Sequence, residues 1–310
     1  MKINNKYNHP GRLIVILTII LSLACAQTAY YGLESGFHIS GLALAGGGVV
    51  ITSPENDRQN PALLDHSKPA VGFSWLEYPA GISAGIASLQ LSWKNHPVQI
   101  GLRQLNYGEF DGYDNEAQST GSYSVDDTWL TLSTAGTTPR GIIKYGLTVG
   151  AFTSQIEDYK AQIFTFTSGV SINSKKHRLK IGAAIRNLGI VRKNYTEIRE
   201  DLPTQVVIGI ARSLAHLPLE LALDIGYYPA SKSSFAVVNG IINLAPGFKL
   251  RWGTSTAKID QAPGYQDFRD LLAASGAAVS FTFRKISIDA GGYFYGPGAY
   301  ISGMGLEITL

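Results

Sequence analysis

Beyond residue 26 the chain repeats hydrophobic residues at every second position, in runs of about ten, and this regularity restricts it to sheet with one apolar face. Leu219, Leu221, Leu223 and Ile225 alternate with Glu220, Ala222, Asp224 and Gly226. Leu179, Ile181, Ala183 and Ile185 alternate with Lys180, Gly182, Ala184 and Arg186, and Phe248, Leu250 and Trp252 with Lys249, Arg251 and Gly253. Ile143, Tyr145, Leu147 and Val149 alternate with Lys144, Gly146, Thr148 and Gly150, and Met304, Leu306, Ile308 and Leu310 close the chain in the same rhythm. No apolar run after residue 26 reaches the roughly 18 residues of a membrane helix. Counting the runs gives about fourteen strands between residues 70 and 310.

These runs match a tilted membrane strand in length, whereas strands of soluble sandwiches are usually shorter. The connections add an asymmetry. Residues 94–97, 174–177, 215–218, 245–246 and 284–285 form short turns, while 108–121, 188–203 and 255–271 read as long loops. Short turns on one rim and longer loops on the other are the arrangement of an outer-membrane barrel, a partial asymmetry here since 78–82 and 296–299 on the long-loop side are short, and an even strand count returns both termini to the short-turn, periplasmic side. Backbone groups in lipid need internal partners, which a closed sheet supplies. The expected fold is therefore an all-β, transmembrane antiparallel barrel at 70–310, in contact with outer-membrane lipid. A soluble β-sandwich or propeller is the rival, since its strands also alternate. On the barrel reading Leu221 faces lipid and Ala222 the lumen, so arginine at 222 is the milder change unless the lumen is tightly packed.

Two segments precede the barrel. Lys2, Lys6 and Arg12, the apolar run 13–24 and Ala24-Cys25-Ala26 have the form of a signal peptide over 1–26, cleaved near Ala26, with lipidation of Cys25 as the alternative. Ordinary cleavage leaves no cysteine, and hence no disulfide or thiol chemistry. It also cancels the net charge of +3, because three of the 26 basic residues leave and 23 remain against 23 acids. A basic footprint for nucleic acid is thereby lost. Residues 27–69 carry Gly46-Gly47-Gly48 and then Asn60-Pro61-Ala62, a turn that opens a short helix, and read as a plug or a periplasmic arm.

Gln59-Asn60-Pro61-Ala62-Leu63-Leu64, Leu105-Asn106-Tyr107-Gly108-Glu109-Phe110-Asp111-Gly112-Tyr113-Asp114, Gly121-Ser122-Tyr123-Ser124 with Asp126-Asp127, and Arg186-Asn187-Leu188-Gly189 together resemble the PorV/PorQ family of FadL-like outer-membrane barrels, its PorQ-like branch most closely. The resemblance runs from about residue 36 to the C-terminus. It implies a non-enzymatic role in type IX protein secretion, anchoring a PorZ-like surface protein of the attachment complex. The same superfamily also supplies the alternative, a FadL-like channel for hydrophobic compounds.

Lys144, Lys180, Arg186, Glu220, Asp224, Lys249, Arg251, Asp289 and Glu307 fall on the inward faces, where mixed signs pair across a lumen and fit a closed scaffold. Phe110, Tyr113, Tyr195, Tyr265 and Phe268 lie in the long loops and are the candidates for binding a partner. They equally suit loop packing or an aromatic girdle. An enzyme is not expected: His38, His66, His96, His177 and His216 are scattered, and neither a G-x-S-x-G nor a zinc spacing occurs. Glu109, Asp111, Asp114 and Glu116 lack the spacing of a calcium loop, and no metal or cofactor is expected.

Overall fold

The computed structural model describes residues 30–64, 69–94, 96–114, 116–261, 264, 268–296 and 299–310. The leader over 1–26 and Tyr265 lie outside the described residues, as does the side chain of Phe268. Fourteen strands follow one another: β1 (Ala70–Glu77), β2 (Ser83–Trp93), β3 (His96–Tyr113), β4 (Ser119–Thr137), β5 (Ile143–Ile156), β6 (Tyr159–Ser174), β7 (Leu179–Lys193), β8 (Gln205–Ser213), β9 (Leu219–Tyr228), β10 (Ser233–Ala245), β11 (Phe248–Ser255), β12 (Ser275–Phe283), β13 (Ile286–Gly296) and β14 (Ala299–Thr309). Each pairs antiparallel with its neighbours in sequence, and β1 pairs with β14, Phe73 opposite Leu306, so the sheet closes on itself.

The alternation of the sequence becomes an outside and an inside. On β8, Val206, Ile208 and Ile210 are 40%, 61% and 45% exposed, while Val207 and Ala211 of the alternate row are buried. A soluble sandwich would bury the apolar row, whereas here the apolar row is the outer surface and the smaller or polar row faces in. The two ends of the barrel are joined at one rim, where Leu310 N donates to Pro69 O at 2.9 Å.

Residues 30–64 occupy the lumen. They comprise a 3-10 turn (Tyr31–Leu33), helix α1 (Ile39–Leu42), helix α2 (Asn56–Gln59) and a second 3-10 turn (Pro61–Leu63). Leu44, Val49, Val50 and Ile51 are fully buried or nearly so. Ala45, Gly46 and Gly48 have φ of 53°, 88° and 100°, the left-handed backbone that lets the segment double back after α1. The wall is made to receive it. A Cβ on Gly253 would lie 2.6 Å from Leu44 C, and one on Gly276 would lie 2.8 Å from Ala43 Cα, so plug backbone rests directly on wall backbone. Pro61 rests in the same way on Gly146.

The stretch 108–121, read from sequence as a loop, is mostly strand: β3 runs to Tyr113 and β4 starts at Ser119, leaving 114–118 as the connector. This part of the hairpin stands beyond the apolar band and is wetted on both faces, so it carries Ser, Thr and acidic residues in place of an apolar row. The long connection after β7 likewise shortens to 194–204, and that after β11 spans 256–274 with helices α3 (Lys258–Gln261) and α4 (Phe268–Leu272).

Candidate functional site

The plug is held by buried charge. Arg103 on β3 and Asp57 on α2 are both fully inaccessible, and Arg103 Nη2 donates to both Asp57 carboxylate oxygens at 2.7 Å. Arg103 Nη1 donates to Thr131 Oγ1 at 3.0 Å, and its guanidinium lies 5.4 Å from the Trp129 ring and 5.9 Å from that of Phe37. Both Nη groups of the guanidinium are partnered, as an ion pair this deep requires, while Nε has no hydrogen-bond partner among the described residues. On the other side Arg186 of β7 donates from Nε to Gln59 O at 2.8 Å and from Nη1 to Gly46 O at 3.2 Å. Asp224 of β9 accepts from Gly48 N at 2.9 Å and Asn239 Nδ2 at 3.0 Å.

The Asn60-Pro61-Ala62 motif is a joint of the same kind. Asn60 Oδ1 accepts from Ala62 N at 3.1 Å and caps the turn, while its Nδ2 donates to Val49 O within the plug at 2.7 Å and to Val170 O of β6 at 3.2 Å. One side chain thus ties two stretches of the plug to the wall.

The other inward charges sort into wall pairs and cavity linings. Lys180 and Glu220 meet at 2.6 Å across β8. Arg251 lies 3.5 Å from Asp289, with Ser280 hydrogen-bonded to both, and His38 of the plug lies 3.8 Å from Asp289. Lys249 and Glu307 line the cavity below, and Lys144 is half-buried. Sequence reasoning missed Arg103 although it follows outward Ile100 and Leu102 in phase; Asp57, in an aperiodic polar stretch, has no such signal.

The loop aromatics divide. Tyr113 is 63% exposed, and Phe110 is 44% exposed and stacked on Tyr123. Because Tyr123 shares the face of lumen-side Asp127 on β4, this stack overhangs the mouth of the barrel. Tyr195 turns inward: it stacks on Tyr30 of the plug at 5.8 Å and donates to Ser154 Oγ at 2.5 Å, and burial pushes its phenol up to about 12. Among the acids of the hairpin, Asp114 Oδ1 accepts from Glu116 N and Gln118 N at 2.9 Å, so it shapes the turn.

Two cavities flank the plug. The upper, about 270 Å³, opens toward the long-connector rim and is lined by Leu42, Tyr78, Tyr228, Phe235, Tyr293 and Tyr295, with Glu34, Arg58, Arg186 and Gln205 as its polar points. Burial raises the Glu34 carboxyl above the usual range, against hydrogen bonds from Tyr228 and Gln205. The lower, about 340 Å³, is polar and lies at the rim of Ala70 and Thr309, with Gln90, Gln99, Lys249, Arg251, Asp289 and Glu307 around it.

The wall beside the upper cavity is interrupted. The β6–β7 register jumps between Phe166–Leu188 and Ser168–Ile185, and Asn187 adopts φ 54°, so β7 bulges at Arg186–Asn187. Pairing of β7 with β8 ends at Arg186–Gln205, and β7 continues for seven residues with no β8 partner. Connector 194–204 covers this seam: Thr204 Oγ1 donates to Asn187 O at 3.0 Å, Asn187 Nδ2 to Pro203 O at 3.4 Å, and half-buried Leu202 lies over Gly189.

No protein-family profile matches the sequence, and no curated protein is similar to it. Solved structures do share the fold. The P. putida toluene transporter TodX superposes with a TM-score of 0.61 at 9% identity, covering 90% of this chain and 99% of its own. The Ralstonia pickettii toluene transporter TbuX gives 0.56 at 11% identity, covering 90% and 98%. The fold is a closed 14-strand antiparallel barrel with an apolar outer surface, and it fits a location in the outer membrane. Both of these structures are of toluene transporters.

Proposed function

We propose that this barrel admits small, largely apolar compounds across the outer membrane and that the aromatic-lined upper cavity is where they bind. The observation that carries the reading is the position of that cavity, between six apolar or aromatic side chains and beside the β7–β8 seam. Straight passage would have to break the buried contacts of Arg103, Arg186, Asp224 and Asn60 together, whereas the seam is closed by one connector, tied to Asn187 by two hydrogen bonds and held at its start by the contacts of Asn194 and Tyr195. The fold shared with two toluene transporters supports the same reading. Proteoliposome uptake of a radiolabelled monoaromatic hydrocarbon tests it. Phe235→Arg, which places a charge in the cavity, is expected to abolish uptake while the barrel stays folded; unchanged uptake refutes the proposal.

A second reading keeps the barrel as a scaffold of the type IX attachment complex, holding a surface protein. It is supported by the sealed plug and by the β3–β4 hairpin, which raises Phe110 and Tyr113 above the rim. Phe110→Ala with Tyr113→Ala would then release a surface protein in a strain with a type IX system and leave uptake unaltered. Loss of hydrocarbon uptake on deletion of the protein, with surface attachment intact, favours the channel.

A further inference from the structure

The two rims of the barrel carry opposite charge. The connectors on the rim of Ala70 and Thr309, residues 94–95, 138–142, 175–178, 214–218, 246–247 and 284–285, hold seven Lys or Arg and no Asp or Glu. The connectors of the other rim hold ten acids and four bases. Lys94, Arg140, Lys175, Lys176, Arg178 and Arg284 are all exposed, and none has an ion pair among the described residues. Glu220, near this rim, is spent on Lys180, and Asp289 faces the lumen beside Arg251.

The depth of the cations is set by their neighbours. Trp93 and Phe283, 67% and 59% exposed, end the outward rows of β2 and β12 and occupy the level of an aromatic girdle. Lys94 Nζ lies 5.1 Å from the Trp93 ring and Arg284 Cζ lies 5.3 Å from that of Phe283. A cation folded over a girdle ring stands at headgroup depth, where lipid phosphates are the nearest anions.

We infer that this rim is a binding surface for anionic phospholipid headgroups, built from Lys94, Arg140, Lys175, Lys176, Arg178 and Arg284. A protein partner in the periplasm would need cations that project beyond the turns, and two of these are instead pinned to lipid-facing rings. The inference rests on the barrel standing in a bilayer and not on what crosses it, so a failed uptake assay leaves it intact.

The test uses the folded protein in detergent, incubated with equal amounts of phosphatidylglycerol and phosphatidylcholine of matched chains, with retained lipids counted by native mass spectrometry. Phosphatidylglycerol is expected to be retained in clear preference. Each cation near an anionic lipid surface contributes about fivefold, so Lys175→Gln/Lys176→Gln/Arg284→Gln should lower the preference by about a hundredfold. Lys160→Gln/Arg199→Gln/Lys232→Gln on the other rim should leave it unchanged. Should the first variant fail to fold, the wild-type protein at high salt serves instead, because screening must remove a preference carried by exposed charge. Equal retention of the two lipids by the wild type, a preference that survives the triple change, or one that survives high salt overturns the inference.

Discussion

Replacing Asp57 by leucine strands Arg103 as a cation with no exposure and no counter-charge. Removing one partner of a buried pair costs about 3–5 kcal/mol. The barrel's own ladder is continuous through β1 and β14 and does not include Asp57, so the cost falls on the seating of the plug. At about 1.4 kcal/mol per tenfold, the ratio of seated to unseated plug should fall by two to three and a half powers of ten. Asp57→Leu is thus expected to raise single-channel conductance in planar bilayers and to speed hydrogen exchange of residues 36–60, with the heat-modifiable gel shift of the barrel preserved. Adding Arg103→Met removes the stranded charge and leaves an apolar side chain between Trp129 and Phe37, and exchange of a buried pair for apolar groups is close to neutral. The double variant should recover most of the protection. A double variant as leaky as the single, or a single variant with full protection, would refute the argument that the pair seats the plug.

Gly253→Ala and Gly276→Ala each push a Cβ into plug backbone and should weaken seating by about 1–3 kcal/mol, read as faster exchange over Ile39–Leu44. Leu223→Arg, on the lipid side, should lower barrel stability in urea by about 2–4 kcal/mol. Ala222→Arg should instead open the plug, because the lumen at Ala222 is packed with Leu44 and Val49; a uniform loss of barrel stability at both positions would contradict the alternation. Burial, against the pull of Asp289 and Glu55 and with Arg251 and Arg103 adding to it, holds His38 below its ordinary value of 6.5, and its Nδ1 accepts from Ser40 N at 3.1 Å as the cap of α1. The unseated imidazole takes up a proton below about pH 6.5 while the seated one does not, so seating should weaken on acidification through that value. Glu34, raised by burial, acts in the opposite sense, and His38→Asn, which keeps a cap acceptor without titrating, should abolish the acid-induced exchange if His38 is its source.

The barrel was legible because lipid imposes one rule on every strand, and rows such as Val206, Ile208 and Ile210 obey it residue by residue. Where the chain leaves the lipid the rule lapses, and for that reason the upper β3–β4 hairpin read as loop. Asn60 and Pro61 announced a turn, and the structure shows that turn bonded to Val170 and resting on Gly146. The partnership of Arg103 with Asp57 could not be read, since it joins positions 46 apart through a segment without period. The upper cavity was equally hidden, being assembled from residues scattered over the plug, the β1–β2 connector, β7 to β11, β13 and β14.

The order in which the chain is strung has a consequence for assembly. The plug directly precedes β1, and β1 completes the cylinder by meeting β14, with Ala70 opposite Thr309 at the far end of the sequence. Once that last ladder forms, fully buried side chains such as Leu44 and Asp57 have no route in from either mouth that does not pass a packed neighbour. The plug is therefore most readily laid in while the sheet is still an open trough, and the final strand closes like a clasp over a segment already in place. A nascent barrel halted before β14 would be an open gutter rather than a leaky pore.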